Sequence, residues 1–182
     1  FAMTGYSQGG YVVSASSEFD TDYKSWYAFN DITGPGSGES GGTWISENIP
    51  DSYDPTTGLA TTQDTFQGEN GSWIGLELPH AIYLSYCEIT NRNDPSVRPP
   101  KDGIVWGSRD GNNWTNLHTF TVTDITQAAK TNITVNTIKA YKYYRLQFTS
   151  IYAGPDAVAI GELKFYGHRE NDLVRLPDPT NV

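Results

Sequence analysis

The stretch Trp106–Leu117, "WGSRDGNNWTNL", places an Asp-Gly pair between two segments that alternate like β-strands. Such a run could form a cation-binding loop, a sugar-reading loop or a tight turn. A calcium loop of the EF-hand type needs several spaced carboxylates and a distal Glu, which this run lacks. An Asp-Gly pair supplies the positive φ that hairpin turns require. The stretch therefore predicts a hairpin between neighbouring antiparallel strands, with Trp114 folded back as a core or covering residue.

Short segments rich in β-branched and aromatic residues recur along the chain, and turn-forming residues separate them. Two short helical candidates, 21–30 and 124–130, interrupt this pattern. Strands at this spacing predict an all-β fold, a sandwich of antiparallel sheets for which the jelly roll is one solution. The predicted strands are 10–16, 72–79, 82–90, 103–108, 117–122, 132–137, 142–150 and 159–167.

The composition limits the classes of partner. The 182 residues suffice for one domain with a substantial core. A net charge of −9 repels phosphate backbones and anionic membranes, which disfavours nucleic acid and membrane lipid. Cys87 is the only cysteine, so an intrachain disulfide is excluded, and its alternating apolar surroundings predict a small buried side chain. Because residue 1 is not Met, we expect the sequence to be part of a larger multidomain protein.

The sequence contains no pattern that indicates catalysis. His80, His118 and His168 are far apart, and no His-x-His or HExxH motif is present. There is no GxSxG nucleophile elbow. Carboxylates are numerous, but their context singles out no acid–base pair. We therefore expect a protein that is not an enzyme.

The hairpin residues Ser108, Asp110, Gly111 and Trp114 form the pattern S-x-DG-x-x-W. This pattern resembles the central signature of discoidin domains, also called coagulation-factor type C domains, and of carbohydrate-binding modules with the galactose-binding-like fold. Other segments resemble the remaining motifs of this family in the same order. They are "SASSEF" (14–19), "AFND" (28–31), "TWIS" (43–46), "SWIGLELP" (72–79), "YYRLQF" (143–148) and "IGELKFYG" (160–167).

The resemblance spans residues 11–167. It implies an eight-stranded antiparallel jelly-roll β-sandwich, in which a five-stranded sheet packs on a three-stranded sheet. Residues 1–10 are then an N-terminal segment, and residues 168–182 are a C-terminal tail or linker.

The resemblance also implies a structural calcium ion, because in many carbohydrate-binding relatives such an ion joins the first long loop to the last strand. Calcium favours mixed carbonyl and carboxylate oxygens. The family's Asp is replaced here by Asn30, which removes one charge. In the alternative interpretation Glu162 accepts backbone hydrogen bonds and Asn30 ends a helical turn. The implied ligands are the Tyr27 carbonyl, the Asn30 or Asp31 side chain, a group near Thr43, the Ala159 carbonyl and Glu162.

Loops at one end of such a sandwich are the candidate ligand site, namely 16–26, 46–55, 91–100 and 150–157. Sugar sites combine an aromatic face with planar polar groups that bridge adjacent hydroxyls. In the alternative interpretation Arg92 and Arg98 form surface ion pairs with Asp94 or Glu88. The predicted ligand-binding residues are Arg92, Asn93, Asp94 and Arg98, with Tyr152 or Tyr53 as the stacking ring.

These observations predict a non-catalytic, lectin-like binding module for carbohydrate on a cell surface or matrix, with a role in cell adhesion. We expect it to be extracellular or displayed on a surface. The alternative is a structural or attachment module of a larger surface or virion assembly, whose loops contact protein.

Overall fold

The computed structural model describes residues 2–34, 41–47, 51–94 and 98–172. The helical candidate at 21–30 forms the 3₁₀ helix Ser25–Phe29, whereas residues 124–130 form no helix. The strands are β1 (Ser7–Gln8), β2 (Tyr11–Ala15), β3 (Trp44–Ile45), β4 (Thr65–Phe66), β5 (Glu69–Asn70), β6 (Trp73–Thr90), β7 (Asp102–Ser108), β8 (Trp114–Thr121), β9 (Lys130–Thr134), β10 (Tyr141–Phe148), β11 (Ala159–Ile160) and β12 (Glu162–Arg169).

The long strand β6 belongs to both layers of the fold. Its first part pairs with β2 and β10, and β7 and β8 continue that layer in the order β2-β6-β10-β7-β8. Its second part pairs with β12 on one side and β9 on the other. All of these pairings are antiparallel. The predicted jelly roll of a five-stranded sheet on a three-stranded sheet is therefore confirmed.

The structure joins the two strands predicted at 72–79 and 82–90 into the single strand β6. Proline cannot donate to a sheet ladder, so Pro79 would interrupt a strand that was hydrogen-bonded at that position. However, the pairing of β6 with β2 ends at Glu77, and its pairing with β10 is interrupted after the same residue. Pairing resumes at Ile82, which lies opposite residues of β10 and β12. Pro79 lies where the strand passes from one layer to the other, and no ladder hydrogen bond is lost there.

The hairpin predicted from Trp106–Leu117 is present between β7 and β8. Gly111 has a φ of 77°, as such a turn requires. The Asp110 carboxylate accepts hydrogen bonds from the backbone N–H of Asn113 (2.8 Å) and Asn112 (2.9 Å). These hydrogen bonds, with one from the Asn113 side-chain amide, hold the pKa of Asp110 well below its usual range. Trp114 folds back over the hairpin, where its indole N–H donates to the Gly111 carbonyl at 3.1 Å.

The core lies between the two layers and includes inward-facing residues of β6, β10 and β12. Cys87 is fully buried there, and burial raises the pKa of its thiol to about 12. The folded body begins before residue 11, because Met3 is buried and β1 pairs with β2. It continues past residue 167, since β12 ends at Arg169. Among the described residues, no helix is long and apolar enough to span a bilayer.

Candidate functional site

Two arginines meet aromatic rings and carboxylates in the loops at one end of the sandwich. The Arg98 guanidinium lies 2.8 Å from the Asp156 carboxylate and 5.7 Å from the centre of the Phe19 ring. The Arg92 guanidinium lies 3.4 Å from the Asp94 carboxylate and 5.3 Å from the Tyr23 ring. The two rings pack edge to face, 5.8 Å apart. We call this group the loop-end cluster: Phe19, Tyr23, Arg92, Asp94, Arg98 and Asp156.

Backbone contacts hold these loops against the strand ends. Asn91 follows β6, and its side-chain amide donates to the carbonyls of Asp124 (2.9 Å) and Thr126 (3.0 Å). This fixes the direction in which the chain leaves the strand before Arg92. The Arg98 carbonyl accepts a hydrogen bond from the Ala159 N–H of β11 at 2.9 Å. The arginine-bearing loop is thus attached to the loop that carries Asp156.

The two arginines differ in their access to solvent. Arg92 is only 6% exposed, and its guanidinium also donates to the Tyr23 hydroxyl at 3.4 Å. The side chains of Arg98 and Asp156 are 24% and 30% exposed, and Phe19 is 37% exposed. The prediction assumed an exposed Arg92 and is wrong on that point, whereas Arg92 as a ligand-binding residue stays a prediction. A ligand can reach the pair of Arg98 and Asp156 beside the Phe19 ring.

The predicted polar neighbours are present but are used within the fold. Asn93 donates its amide to the Thr33 carbonyl at 3.2 Å. Asp94 forms the expected ion pair with Arg92. Glu88, the other acid considered for the arginines, instead accepts from Lys130 at 3.1 Å. Arg92 and Asp94 therefore follow the ion-pair alternative, in a buried setting.

Neither tyrosine predicted as the stacking ring lies on Arg92. Tyr53 is fully buried, and its hydroxyl donates to the Phe148 carbonyl at 2.8 Å, so the prediction that it stacks on a ligand is wrong. Tyr152 is half-buried and donates to the Val122 carbonyl at 2.8 Å. The ring against Arg92 is Tyr23, a residue that sequence reasoning missed together with Phe19 and Asp156. All three fall in the loops predicted at 16–26 and 150–157, but no local pattern indicated their pairing.

The residues implied as calcium ligands surround the start of β12. The Glu162 carboxylate accepts a hydrogen bond from the Asp31 N–H at 3.1 Å, and the Asn30 side-chain oxygen accepts one from the Ile32 N–H at 3.0 Å. Asn30 is buried, whereas the Asp31 carboxylate is exposed and bound to Lys164 at 2.5 Å. Asn30 is thus the side chain of this pair that lies inside the fold.

The other implied ligands offer backbone oxygens. Thr43 is buried and donates its hydroxyl to the Gly41 carbonyl at 3.3 Å. The Tyr27 carbonyl accepts from the Asn30 N–H at 3.4 Å, and Ala159 of β11 pairs with Ile45 of β3. Within the described residues, no group of three or more His, Cys, Asp and Glu side chains could hold a metal ion. An ion at this place would therefore depend on carbonyl oxygens together with Glu162.

Glu162 is a buried carboxylate with little compensation. It is 5% exposed, and burial raises its pKa to about 8. The Asp31 N–H is its one hydrogen-bond donor among the described residues. Lys164 opposes the rise, but that ammonium is bound to Asp31. A buried charge in this state is stabilised by any cation that reaches it.

Comparison with solved structures identifies the fold. The module CpGH89CBM32-5 from Clostridium perfringens, in complex with GalNAc-β-1,3-galactose, superposes with a TM-score of 0.64 at 15% identity over 87% of this chain and 96% of that chain. The family 32 CBM from C. perfringens NanJ, in complex with galactose, gives 0.61 at 13% identity over 86% and 93%.

A third neighbour is the F5/8 type C domain of a Bacteroides fragilis protein, with a TM-score of 0.61 at 15% identity over 88% of this chain and 93% of that chain. No protein-family model and no curated protein sequence matches the chain. At these identities the neighbours establish a discoidin-like galactose-binding-domain fold, as the sequence motifs predicted.

Proposed function

We propose that the protein is a non-catalytic carbohydrate-binding module whose loop-end cluster holds a sugar ring. The observation that carries the proposal is the accessible pair of Arg98 and Asp156 beside the exposed Phe19 ring. The guanidinium donates hydrogen bonds and the carboxylate accepts them, so adjacent hydroxyls of one sugar can engage both. The aromatic ring offers an apolar surface to the C–H face of a pyranose.

A second ion pair, between the buried Arg92 and the half-buried Asp94, supports the accessible one. Arg92 and Asp94 lie behind Tyr23, and Tyr23 packs against Phe19. This arrangement fixes the ring before ligand arrives, which lowers the entropic cost of binding. Preorganisation matters for sugars because each hydrogen bond to a hydroxyl replaces one to water. In this proposal Arg92 therefore positions the site and does not contact the sugar.

The proposal agrees with what the neighbours bind. Two of the solved structures with this fold hold GalNAc-β-1,3-galactose and galactose. We further propose that the module belongs to a larger extracellular or surface-displayed protein, as the neighbours' description as modules suggests.

The experiment is a glycan array followed by calorimetric titration of galactose and GalNAc-β-1,3-galactose. Phe19→Ala and Arg98→Gln should each weaken the affinity at least about tenfold, because either change removes one of the two accessible contacts. Arg109→Gln is the matched control. Arg109 is 60% exposed and lies 3.2 Å from Glu170 outside the loop-end cluster, so this variant should bind like the parent.

Two results would contradict the proposal. If Phe19→Ala and Arg98→Gln bind sugar as the parent does, the site lies elsewhere. If the array detects no glycan at all, the module has the attachment role and contacts protein.

We also propose that a structural calcium ion joins the first long loop to β12. The residues present fit such an ion: Glu162 would supply a carboxylate, Asn30 an amide oxygen, and Tyr27, Thr43 and Ala159 would supply other oxygens. The buried, weakly compensated Glu162 carboxylate supports this assignment. When bound, the ion would neutralise that charge and stabilise the loop, with no part in catalysis.

A further inference from the structure

A third arginine meets aromatic rings on the outer face of the five-stranded layer. The Arg145 guanidinium carbon lies 3.7 Å from the centre of the Trp73 ring, 4.3 Å from that of Trp114 and 4.5 Å from that of Phe66. The four residues come from β10, β6, β8 and β4, so distant parts of the chain assemble the group. We call it the sheet-face cluster: Phe66, Trp73, Trp114 and Arg145.

Neighbouring residues hold this guanidinium in place. Gly75 lies opposite Arg145 in the ladder between β6 and β10, and a Cβ there would come 2.7 Å from the Arg145 Cγ. The missing side chain leaves room for Arg145 to lie across the strand. Phe66 also packs on Trp114 (5.2 Å) and Trp73 (5.9 Å), so the rings restrain one another. The guanidinium is therefore preorganised, and little rotamer entropy remains to be lost when it binds a partner.

Arg145 has no counter-charge within the part of the chain that the structure describes. Among the described residues, no carboxylate forms an ion pair with Arg145, and no acceptor hydrogen-bonds to it. Glu77 lies on the same face but is bound to Lys142 at 2.7 Å. Glu69 stands opposite Phe66 in the β4–β5 hairpin, and it is exposed and forms no ion pair with Arg145. The aromatic rings stabilise the positive charge, but they accept no conventional hydrogen bond from the five N–H groups of the guanidinium.

Arg145 is half-buried, so part of its side chain remains accessible to solvent. The rings occupy the space around the guanidinium carbon, which leaves the N–H groups in the guanidinium plane as donors. That fork matches the two oxygens of a carboxylate, and partial removal of water strengthens the attraction. Burial lowers the pKa of Arg145 to about 10, so the guanidinium is still charged at neutral pH.

We propose that the sheet-face cluster is a second ligand site, which binds the carboxylate of an acidic sugar such as a uronic acid. The Arg145 fork binds the two carboxylate oxygens. The accessible parts of the Phe66, Trp73 and Trp114 rings contact the C–H groups of the same sugar. This site does not depend on the loop-end cluster, whose accessible arginine already has a carboxylate beside it.

The probe is trigalacturonic acid, with its methyl ester as the matched neutral ligand. Tryptophan fluorescence and calorimetry measure binding, since two of the three rings are indoles. The unaltered protein should bind the acid at least tenfold more tightly than the ester, and excess galactose should not displace it. Arg145→Lys keeps the charge but loses the fork, so it should weaken binding of the acid at least tenfold, whereas Arg109→Gln should leave it unchanged.

The comparison of acid with ester needs no variant, so it holds even if Arg145→Lys unfolds. Equal binding of the two ligands, or no binding of either, would overturn the proposal and leave the cluster with a packing role only. Displacement of the acid by galactose would also overturn it, because the acid would then occupy the loop-end cluster. Loss of galactose binding alone would count against the loop-end site and not against this one.

Discussion

The loop-end cluster and the sheet-face cluster stabilise arginine charge in different ways. At the loop end, Arg92 and Arg98 each have both a carboxylate and an aromatic ring. On the sheet face, the described residues give Arg145 three aromatic rings and no carboxylate. A neutralised arginine presents donors beside acceptors, which suits the hydroxyls of a neutral sugar. An arginine stabilised by rings alone keeps its full charge for an anion. The same side chain therefore predicts different ligands in the two regions.

The largest expected effect is the loss of the buried arginine at the loop end. Arg92→Ala should lower the free energy of unfolding by roughly 4 kcal/mol, because it leaves a cavity in place of a large buried side chain and removes that side chain's contacts with Tyr23 and Asp94. Chemical denaturation measures this change. Arg109→Ala removes an exposed ion pair and should have almost no effect on stability. If Arg92→Ala is as stable as Arg109→Ala, the buried Arg92 contributes no more to the free energy of unfolding than the exposed Arg109 does.

The next effect concerns Glu162, a buried acid that forms no ion pair with any of the described residues. Without calcium, the unfolded carboxyl ionises near pH 4.5, while the folded one keeps its proton up to about 8. The unfolded state therefore loses its proton first, and stability should fall as the pH rises through this window. Each unit of pKa difference is worth about 1.4 kcal/mol, so the total loss should be roughly 3 kcal/mol after some relaxation of the site.

Calcium should cancel this loss by stabilising the ionised carboxylate. Melting curves between pH 5 and pH 8, with calcium and with EDTA, test the prediction. Glu162→Gln should flatten the pH dependence and remove the effect of calcium. Glu69→Gln is the matched control, because Glu69 is exposed in the β4–β5 hairpin and forms no ion pair with the described residues, so both responses should remain. Identical melting curves with and without calcium at pH 8 would contradict the calcium site.

A third change tests the packing of the sheet-face cluster. In Gly75→Ala the new Cβ would lie 2.7 Å from the Arg145 Cγ and 2.9 Å from the Tyr144 carbonyl oxygen. The side chain of Arg145 must shift away from Trp73, so we expect a loss of roughly 2 kcal/mol and a change in tryptophan fluorescence. Gly5→Ala is the control, since no atom lies within 4 Å of its added Cβ. An unchanged fluorescence spectrum in Gly75→Ala would mean that Arg145 does not need Gly75 to reach the ring.

Local sequence sufficed for the fold but not for the sites. Asp110 and Gly111 predicted a hairpin because a turn depends on adjacent residues. The single strand through Pro79 was missed, because its place between two layers depends on pairing with distant strands. Likewise, nothing near Tyr53 or Tyr23 in the sequence reveals that the first is in the core and the second lies on Arg92.

The smallest expected effect on stability is the one that tests the comparison most directly. Asp156→Asn would leave Arg98 with a ring and no carboxylate, which is the arrangement around Arg145. The pair is partly exposed, so the free energy of unfolding of the variant should fall by less than about 1 kcal/mol.

The binding of ligand to Asp156→Asn should change more than its stability. Affinity for galactose should fall, because Asn accepts hydroxyl hydrogen bonds less strongly than a carboxylate does. Affinity for trigalacturonic acid at the loop end should appear, and galactose should then displace part of the bound acid. Calorimetry measures this as a higher ratio of bound acid to protein than in the unaltered protein. If the variant gains no acid binding, the carboxylate partner does not decide which sugar an arginine binds, and the proposed difference between the two clusters is wrong.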